Sequence, residues 1–196
     1  MKLYYSPGAC SLAPHIALRE AGLPFEAVLA STKTKRLPDG SDYLAVNPKG
    51  QVPLLELDNG ERLSEGPVIQ QYIADLVPAS GLLPPAGSWA RYRVLEWLNF
   101  ITSELHKGFT PLFNPAVPAD TKALFAQRLK ERLAWVDSQL DGRDHLTGDT
   151  FTIADGYLFV VSNWTQPTGI DLAGLDRLQA FRARVAARPA VQAALQ

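Results

Sequence analysis

Hydrophobic and polar positions alternate along the first 77 residues in the pattern of short strands separated by a helix. The segments KLYYS (2–6) and FEAVLAS (25–31) are short apolar runs bounded by turn residues, which is typical of strands. Between them a helix is predicted from Ser11, its expected N-cap, to Gly22, where it stops. Strands joined through a helix in this way are expected to be parallel.

A second group of elements follows an irregular polar stretch. Asn59-Gly60 separates two strand-like runs and predicts a tight antiparallel hairpin. Pro67 then opens a helix whose apolar residues repeat at helical spacing as far as Leu76. The order β-α-β, irregular crossing, β-β-α predicts one mixed four-stranded sheet in a first domain of residues 1–77.

From residue 78 onward the pattern becomes helical. Residues 78–88 are rich in proline and glycine and predict a linker, which is followed by an all-helical domain over residues 89–196. One long helix is indicated by apolar residues three or four positions apart: Tyr92, Leu95, Leu98, Ile101 and Leu105. A second has the same spacing: Phe125, Leu129, Leu133, Val136 and Leu140. Shorter helices are predicted near 175–187 and 189–195.

The segment IADGYLFVVSNW (153–164) is apolar on nearly every side, and we expect it to be the buried central helix of this half. Thr152 and Asp155 are spaced as a capping box at its start. Asp155 is therefore interpreted as a structural cap and not as a catalytic acid.

Composition narrows the classes of function. A formal net charge of −1 argues against nucleic acid or an anionic membrane as the main partner. The single cysteine excludes a disulfide framework and a multi-cysteine zinc site, and the three histidines, His15, His106 and His145, lack ligand spacing, so no metal is expected. No signal-peptide run and no stretch of membrane-spanning length is found, which predicts a cytoplasmic protein.

Cys10 is the strongest candidate for a residue that takes part in chemistry. It lies beside the start of the first helix, where free N–H groups and the helix dipole stabilise an anion and would lower the pKa of the thiol. The alternative is a small buried residue without chemistry. Because no second cysteine is present, a partner thiol for redox chemistry must come from outside the chain.

The chain resembles the bacterial beta-class glutathione transferases in four segments: YYSPGACSLAPHIALREAG, NPKGQVPLLELDNGERLSEGPVIQQYIAD, NFITSELHKGFTPLF and FTIADGYLF. The resemblance covers essentially the whole chain. It implies the glutathione transferase fold, with a thioredoxin-like N-terminal domain and an all-helical C-terminal domain. It also implies a homodimer and glutathione as co-substrate, bound mostly by the first domain.

The resemblance assigns several residues of the first domain to glutathione. It implies a cis peptide bond between Val52 and Pro53, with the Val52 backbone paired to the cysteinyl backbone of glutathione. Glu65 would bind the α-ammonium of the γ-glutamyl group, and the Gly66 N–H would hold its carboxylate. A proline at a strand start and a first-turn acid are the plain structural alternatives.

Lys35 resembles the position that meets the glycyl carboxylate of glutathione, and Lys33 and Arg36 are close alternatives. On the long helix, Asn99, Ser103 and His106 are spaced to share one face. The glutathione contacts that the resemblance implies on this helix are the following: Asn99, Ser103, Glu104, Leu105, His106 and Lys107. Glu104 and Lys107 lie on other faces and are expected to reach the partner subunit's site.

The predicted catalytic residues are Cys10 and His106, which the resemblance places at the sulfur of glutathione. The thiol of glutathione is about as weak an acid as free cysteine, so the enzyme must stabilise the thiolate and hold an electrophile beside it. Tyr5 and Ser11 are the other hydroxyl donors nearby. Cys10 either donates a hydrogen bond to the thiolate or forms a mixed disulfide with glutathione, and both roles stay open.

An apolar cleft between the domains is predicted to accept small aromatic or halogenated electrophiles, with four candidate lining residues: Phe109, Phe113, Tyr157 and Trp164. The alternative for these side chains is ordinary helical core. Two other functions are compatible with the same scaffold: a glutaredoxin-like, glutathione-dependent thiol-disulfide oxidoreductase, and a non-catalytic binding protein.

Overall fold

The computed structural model describes all 196 residues, which divide into two compact units. The first unit comprises residues 1–83 and 189–196, and the second comprises residues 84–188. The strands are β1 (Lys2–Tyr5), β2 (Glu26–Leu29), β3 (Leu54–Glu56) and β4 (Arg62–Ser64). The α-helices, in chain order, are α1 (Leu12–Glu20), α2 (Tyr43–Val46), α3 (Gly66–Leu76), α4 (Trp89–Phe100), α5 (Lys107–Phe113), α6 (Ala119–Gln139), α7 (Ile153–Ser162), α8 (Thr165–Thr168), α9 (Asp176–Ala186) and α10 (Pro189–Leu195).

The sheet of the first unit has the predicted mixed topology, with the strand order β2-β1-β3-β4. β1 pairs with β2 in parallel, while β3 pairs in antiparallel fashion with both β1 and β4. Leu3 of β1 lies opposite Leu55 of β3, and both side chains are fully buried. The turn at Asn59-Gly60 closes the β3–β4 hairpin, as its sequence predicts.

The last helix belongs to a different unit from the one that the sequence predicted. The prediction placed residues 89–196 in one helical domain, whereas α10 belongs to the first unit and packs against α1. Val191 and Ala194 are the buried residues of α10. Helical spacing shows that a helix has a buried face, but it carries no information about which surface covers that face.

The second unit is built from helices, but the long helix predicted over Tyr92 to Leu105 is not a continuous α-helix. Between α4 and α5, residues Ile101–His106 form a π-helical turn, in which the N–H of Lys107 reaches back to the carbonyl of Thr102. The Thr102 hydroxyl donates to the carbonyl of Leu98 at 2.8 Å, and bonds of this kind often bend a helix. Apolar residues at 3–4 spacing remain buried across such a turn, so the sequence pattern does not reveal it.

Helix α7 is the buried centre of the second unit, and all ten of its residues are buried. The capping box at its start is confirmed: the Asp155 carboxylate accepts hydrogen bonds from the Thr152 N–H at 2.7 Å and the Thr152 hydroxyl at 2.8 Å. The Leu146 N–H donates to the same carboxylate at 2.8 Å. Asp155 is therefore structural. No helix in the chain combines the length and the apolar character needed to cross a bilayer.

Candidate active site

Cys10 lies in the turn between β1 and α1, two residues before the helix begins. Its Sγ donates to the carbonyl of Val52 at 3.4 Å, so the fold joins two segments that are 42 residues apart in the sequence. Cys10 as a whole is half-buried. Cys10 therefore lies against the segment of Val52 and Pro53, which the resemblance also assigns to glutathione binding.

The hydroxyl of Ser11 has a structural role. Its Oγ accepts from the Ser6 N–H at 3.0 Å and donates to the Ser6 carbonyl at 3.2 Å, and the residue is fully buried. Ser11 stands at the N-cap of α1, but its side chain makes no capping bond to the helix. These bonds fix the turn that presents Cys10, and they leave the Ser11 hydroxyl without access to a bound thiol.

The Val52-Pro53 peptide bond is cis, as the resemblance implied. Val52 is buried and packs in a cluster with Tyr4, Tyr43 and Leu54. The preceding carbonyl, that of Gln51, accepts from the Tyr43 hydroxyl at 2.8 Å and from the Asn47 side chain at 2.7 Å. Packing and hydrogen bonds together hold the backbone of this segment in place beside Cys10.

Of the three basic candidates for the glycyl carboxylate, Lys35 lies nearest to this segment. Its Nζ donates to the carbonyl of Gly50 at 2.6 Å, and its backbone has φ = 56°, which is uncommon for a residue other than glycine. Arg36 instead donates to the Gly40 carbonyl at 3.1 Å, and Lys33 is exposed.

Glu65 stands directly before α3 with φ = 73° and ψ = 107°, a backbone conformation that L-residues seldom adopt. Strained residues of this kind cluster at ligand sites. The carboxylate is about two-thirds exposed and pairs with the Lys49 Nζ at 2.8 Å, and Lys49 also donates to the Ser64 hydroxyl at 2.9 Å. The site therefore presents an anion and a cation side by side at the start of a helix.

His106 closes the π-helical turn of the second unit. Its Nδ1 lies 2.6 Å from the hydroxyl of Tyr157, a residue of α7 with only 2% of its surface exposed. The Trp164 ring contacts the imidazole edge to face, with 4.9 Å between the ring centroids. The imidazole is thus held by neighbours from two other segments of the helical unit.

The other predicted contacts on this helix have mixed placements. Ser103 is exposed, as is Asn99, and the Ser103 hydroxyl donates to the Asn99 carbonyl at 3.0 Å. Lys107 is also exposed. Leu105 is fully buried, so its side chain packs in the core and is not available to a ligand. The sequence did not reveal this burial, because Leu105 lies in the motif between Glu104 and His106, which are both partly exposed.

Glu104 forms ion pairs within its own chain. Its Oε2 accepts from Arg128 Nη2 and from Arg132 Nε, each at 3.0 Å. The hydrogen bond from Arg128 lowers the pKa of the Glu104 carboxyl, and Arg132 adds to the effect. The prediction that Glu104 reaches the partner subunit's site stays a prediction.

The predicted apolar lining is smaller than expected. Phe109 is fully buried and Tyr157 nearly so, which makes both of them core residues. Phe113 is half exposed, and its ring contacts Trp164 at 5.8 Å between centroids. Among the four candidates, this pair is the one that presents aromatic surface.

Comparison with known proteins adds the deciding observation. Profiles described as "Glutathione S-transferase, N-terminal domain" and "Glutathione S-transferase, C-terminal domain" match residues 8–76 and 100–189. The chain is 51% identical over 195 residues to glutathione S-transferase GstA of Escherichia coli O157:H7, with 100% of this chain and 97% of that protein covered. The chain belongs to the glutathione S-transferase family.

Solved structures of other glutathione S-transferases agree with this assignment. A sphingomonad enzyme complexed with glutathione matches with a TM-score of 0.96 and 53% identity, over 100% of this chain and 97% of that one. The beta-class enzyme of Sphingomonas chungbukensis matches with a TM-score of 0.96 and 47% identity, over the same shares. The predicted fold, the resemblance to the beta class and the enzyme class are confirmed.

Two contacts of the candidate site residues could not be predicted from the sequence. The pairing of Lys49 with Glu65 depends on the fold, which brings together residues that are 16 positions apart in the sequence. The contact of the Tyr157 hydroxyl with His106 leaves no signal in the sequence, because Tyr157 lies in a continuous apolar segment. No group of three or more residues suited to metal binding is present.

Proposed function

We propose that this glutathione S-transferase conjugates glutathione to small hydrophobic electrophiles, with Cys10 at the sulfur of glutathione. The observation that carries the proposal is the 3.4 Å contact between Cys10 Sγ and the Val52 carbonyl, because it aligns the thiol with the backbone segment expected to bind the cysteinyl unit. The exposed ring of Phe113 beside Trp164 suits an aromatic or halogenated electrophile.

Glu65 and Lys49 suit the zwitterionic end of glutathione. The γ-glutamyl group carries an ammonium and a carboxylate on one carbon, and the ion pair at the start of α3 offers the opposite charges. Lys35 is proposed to bind the glycyl carboxylate, since it lies against Gly50 on the approach to Val52.

Replacing Glu65 tests whether this carboxylate binds the α-ammonium of the γ-glutamyl group. We expect Glu65→Gln to weaken glutathione binding about tenfold, because one charge-assisted hydrogen bond is lost. Calorimetric titration measures the affinity. An N-glutaryl analogue of glutathione, which lacks the ammonium, is the matched control and should bind both proteins equally. An equal loss of affinity for the two ligands would contradict the assignment.

A mixed disulfide between Cys10 and glutathione is the second proposed reaction, favoured by a half-buried cysteine at the proposed sulfur position. In this exchange the Cys10 thiolate attacks glutathione disulfide, forms one S–S bond and releases one glutathione thiolate. It would give the protein a glutaredoxin-like activity beside conjugation.

Cys10→Ala separates the two roles. We expect the variant to bind glutathione but to form no adduct with glutathione disulfide, because the chain then contains no cysteine. Intact-protein mass spectrometry detects the adduct, and conjugation of chlorodinitrobenzene measures transferase activity. If the wild-type protein were retained on a glutathione column but showed neither adduct formation nor conjugation, it would instead be a non-catalytic binding protein.

The homodimer is proposed from family membership, and light scattering should give twice the 21.4 kDa of one chain. Detoxification of electrophiles in a reducing cytoplasm is the proposed setting, since Cys10 must remain a thiol for either reaction.

A further inference from the structure

Gly50 is a turn glycine of the first unit whose backbone is covered by two side chains. A β-carbon built on it would lie 2.8 Å from Leu44 Cδ2, and 3.3 and 3.4 Å from Lys35 Cε and Cδ. Carbon atoms that are not bonded to each other pack at about 3.5 to 4.0 Å. At every other glycine with positive φ, the same position has no neighbour within 4 Å. Gly50 is therefore required for close packing as well as for its backbone angle.

The residue packed on Gly50, Lys35, has a constrained backbone of its own. Its φ of 56° is uncommon for a residue other than glycine. Two hydrogen bonds hold this conformation: the Lys35 N–H donates to the Ser31 carbonyl at 3.0 Å, and the Tyr43 N–H donates to the Lys35 carbonyl at 2.9 Å. The side chain then extends across Gly50, where Nζ donates to the Gly50 carbonyl at 2.6 Å. An ammonium has three N–H donors, so this bond leaves two for an acceptor on a ligand.

We propose that Gly50 is a positioning residue: its missing β-carbon fixes the ammonium of Lys35, and the fixed ammonium selects ligands that end in a carboxylate. The inference rests on the proposed function, in which Lys35 binds the glycyl carboxylate of glutathione. A free lysine side chain loses rotamer entropy when it binds an anion, whereas the side chain held on Gly50 has already lost it on folding. Gly50 thus acts on the ligand through Lys35.

The first test measures the Lys35 ammonium without any ligand. The full chain is acylated with an N-hydroxysuccinimide ester, and peptide mass spectrometry gives the rate at Lys35 relative to the exposed Lys130 of α6. We expect Gly50→Ala to raise this relative rate about fivefold, because the added methyl group displaces the Lys35 side chain from the Gly50 carbonyl. An unchanged rate would refute the proposal.

Two further substitutions separate crowding from backbone strain. Alanine is strained at Gly50 by the φ of 60° alone, and Gly22 has a similar φ of 65° with open space around it. Gly22→Ala is therefore the matched control and should leave the acylation of Lys35 unchanged. Leu44→Ala removes the atom nearest to the added methyl group, so Gly50→Ala/Leu44→Ala tests the contact with Lys35 even if Gly50→Ala does not fold. A rate in this double variant equal to that of Leu44→Ala would count against the role of Gly50.

The second test compares glutathione with its glycyl amide, in which a neutral carboxamide replaces the carboxylate. In calorimetric titration the wild-type protein should prefer glutathione about tenfold, since one charge-assisted hydrogen bond depends on the carboxylate. We expect Gly50→Ala to reduce the preference to about twofold and Gly22→Ala to retain it. An equal loss of affinity for both ligands in Gly50→Ala would mean that Gly50 only maintains the structure.

Lys35→Met distinguishes a failure of this inference from a failure of the proposed function. If Lys35→Met still prefers glutathione to the amide, Lys35 does not bind the glycyl carboxylate, and the acylation rate decides separately whether Gly50 holds its side chain. If Lys35→Met loses the preference while Gly50→Ala keeps it, the assignment of Lys35 stands and the role of Gly50 is wrong. The proposal requires that both variants lose it.

Discussion

His15 is a buried side chain of α1 that cannot easily carry a charge. Burial lowers its pKa to about 4, and the neighbouring Arg19 acts in the same direction. The Arg19 Nε–H donates to His15 Nε2 at 3.0 Å, and this bond requires an unprotonated nitrogen. The ring also packs edge to face on Phe25, with 5.2 Å between centroids. His15 is therefore a neutral core residue, and protonating it opposes folding.

Because of this residue, the free energy of unfolding should decrease as the pH is lowered. An unfolded histidine has a pKa near 6.5, so between pH 6.5 and pH 4 the unfolded chain binds more protons than the folded one. We expect His15 to account for a loss of about 2 kcal/mol in the free energy of unfolding between pH 7 and pH 4.5.

His15→Gln removes the titrating group and retains an acceptor for Arg19. Urea unfolding of both proteins at the two pH values gives the comparison, in which the carboxyl groups contribute equally and cancel. Parallel losses of stability in the variant and the wild type would contradict the prediction.

At the scale of single elements, α7 depends on the carboxylate at its start. Asp155 satisfies three donors, the N–H groups of Leu146 and Thr152 and the Thr152 hydroxyl, and it is fully buried. Burial raises the pKa of this carboxyl, while the three hydrogen bonds oppose the shift.

Asp155→Ala should lower the free energy of unfolding by about 3 kcal/mol, because it leaves buried donors without an acceptor. Thermal or urea denaturation measures the change. The matched control is Asp176→Ala, an exposed acid in the first turn of α9, which should cost less than about 0.5 kcal/mol. Similar losses for the two variants would show that the cap contributes only through the helix dipole.

Sequence predicted those elements whose signals are local. The Asn59-Gly60 turn and the Thr152–Asp155 cap are decided by neighbouring residues, and both are present as predicted. The π-helical turn was missed because its cause is a rearrangement of backbone hydrogen bonds that leaves the apolar pattern intact. In the site, Cys10 was found from its place before a helix, whereas the bonds from Lys49 and Tyr157 join distant segments and leave no local pattern.

At the scale of the whole molecule, the chain returns to its first unit after building the second. Helix α10 packs on α1, and Val191 is fully buried while Leu195 is about half exposed. These two residues form a matched pair within one helix.

Val191→Ala should reduce the protection of α1 amides from hydrogen exchange by about 2 kcal/mol, since it removes two buried methyl groups. Leu195→Ala should leave that protection nearly unchanged. Native-state exchange read by mass spectrometry resolves the two units. Faster exchange in α7 but not in α1 would contradict the assignment of α10 to the first unit.

The placement of α10 also orders events on the ribosome. Residues 189–196 are synthesised after the entire helical unit, so the half that holds Cys10 emerges early but lacks one of its helices until translation has passed residue 188. Until then, the surface of α1 that α10 covers in the folded protein is open to solvent. The first unit therefore gains its last helix only after the whole second unit has been synthesised.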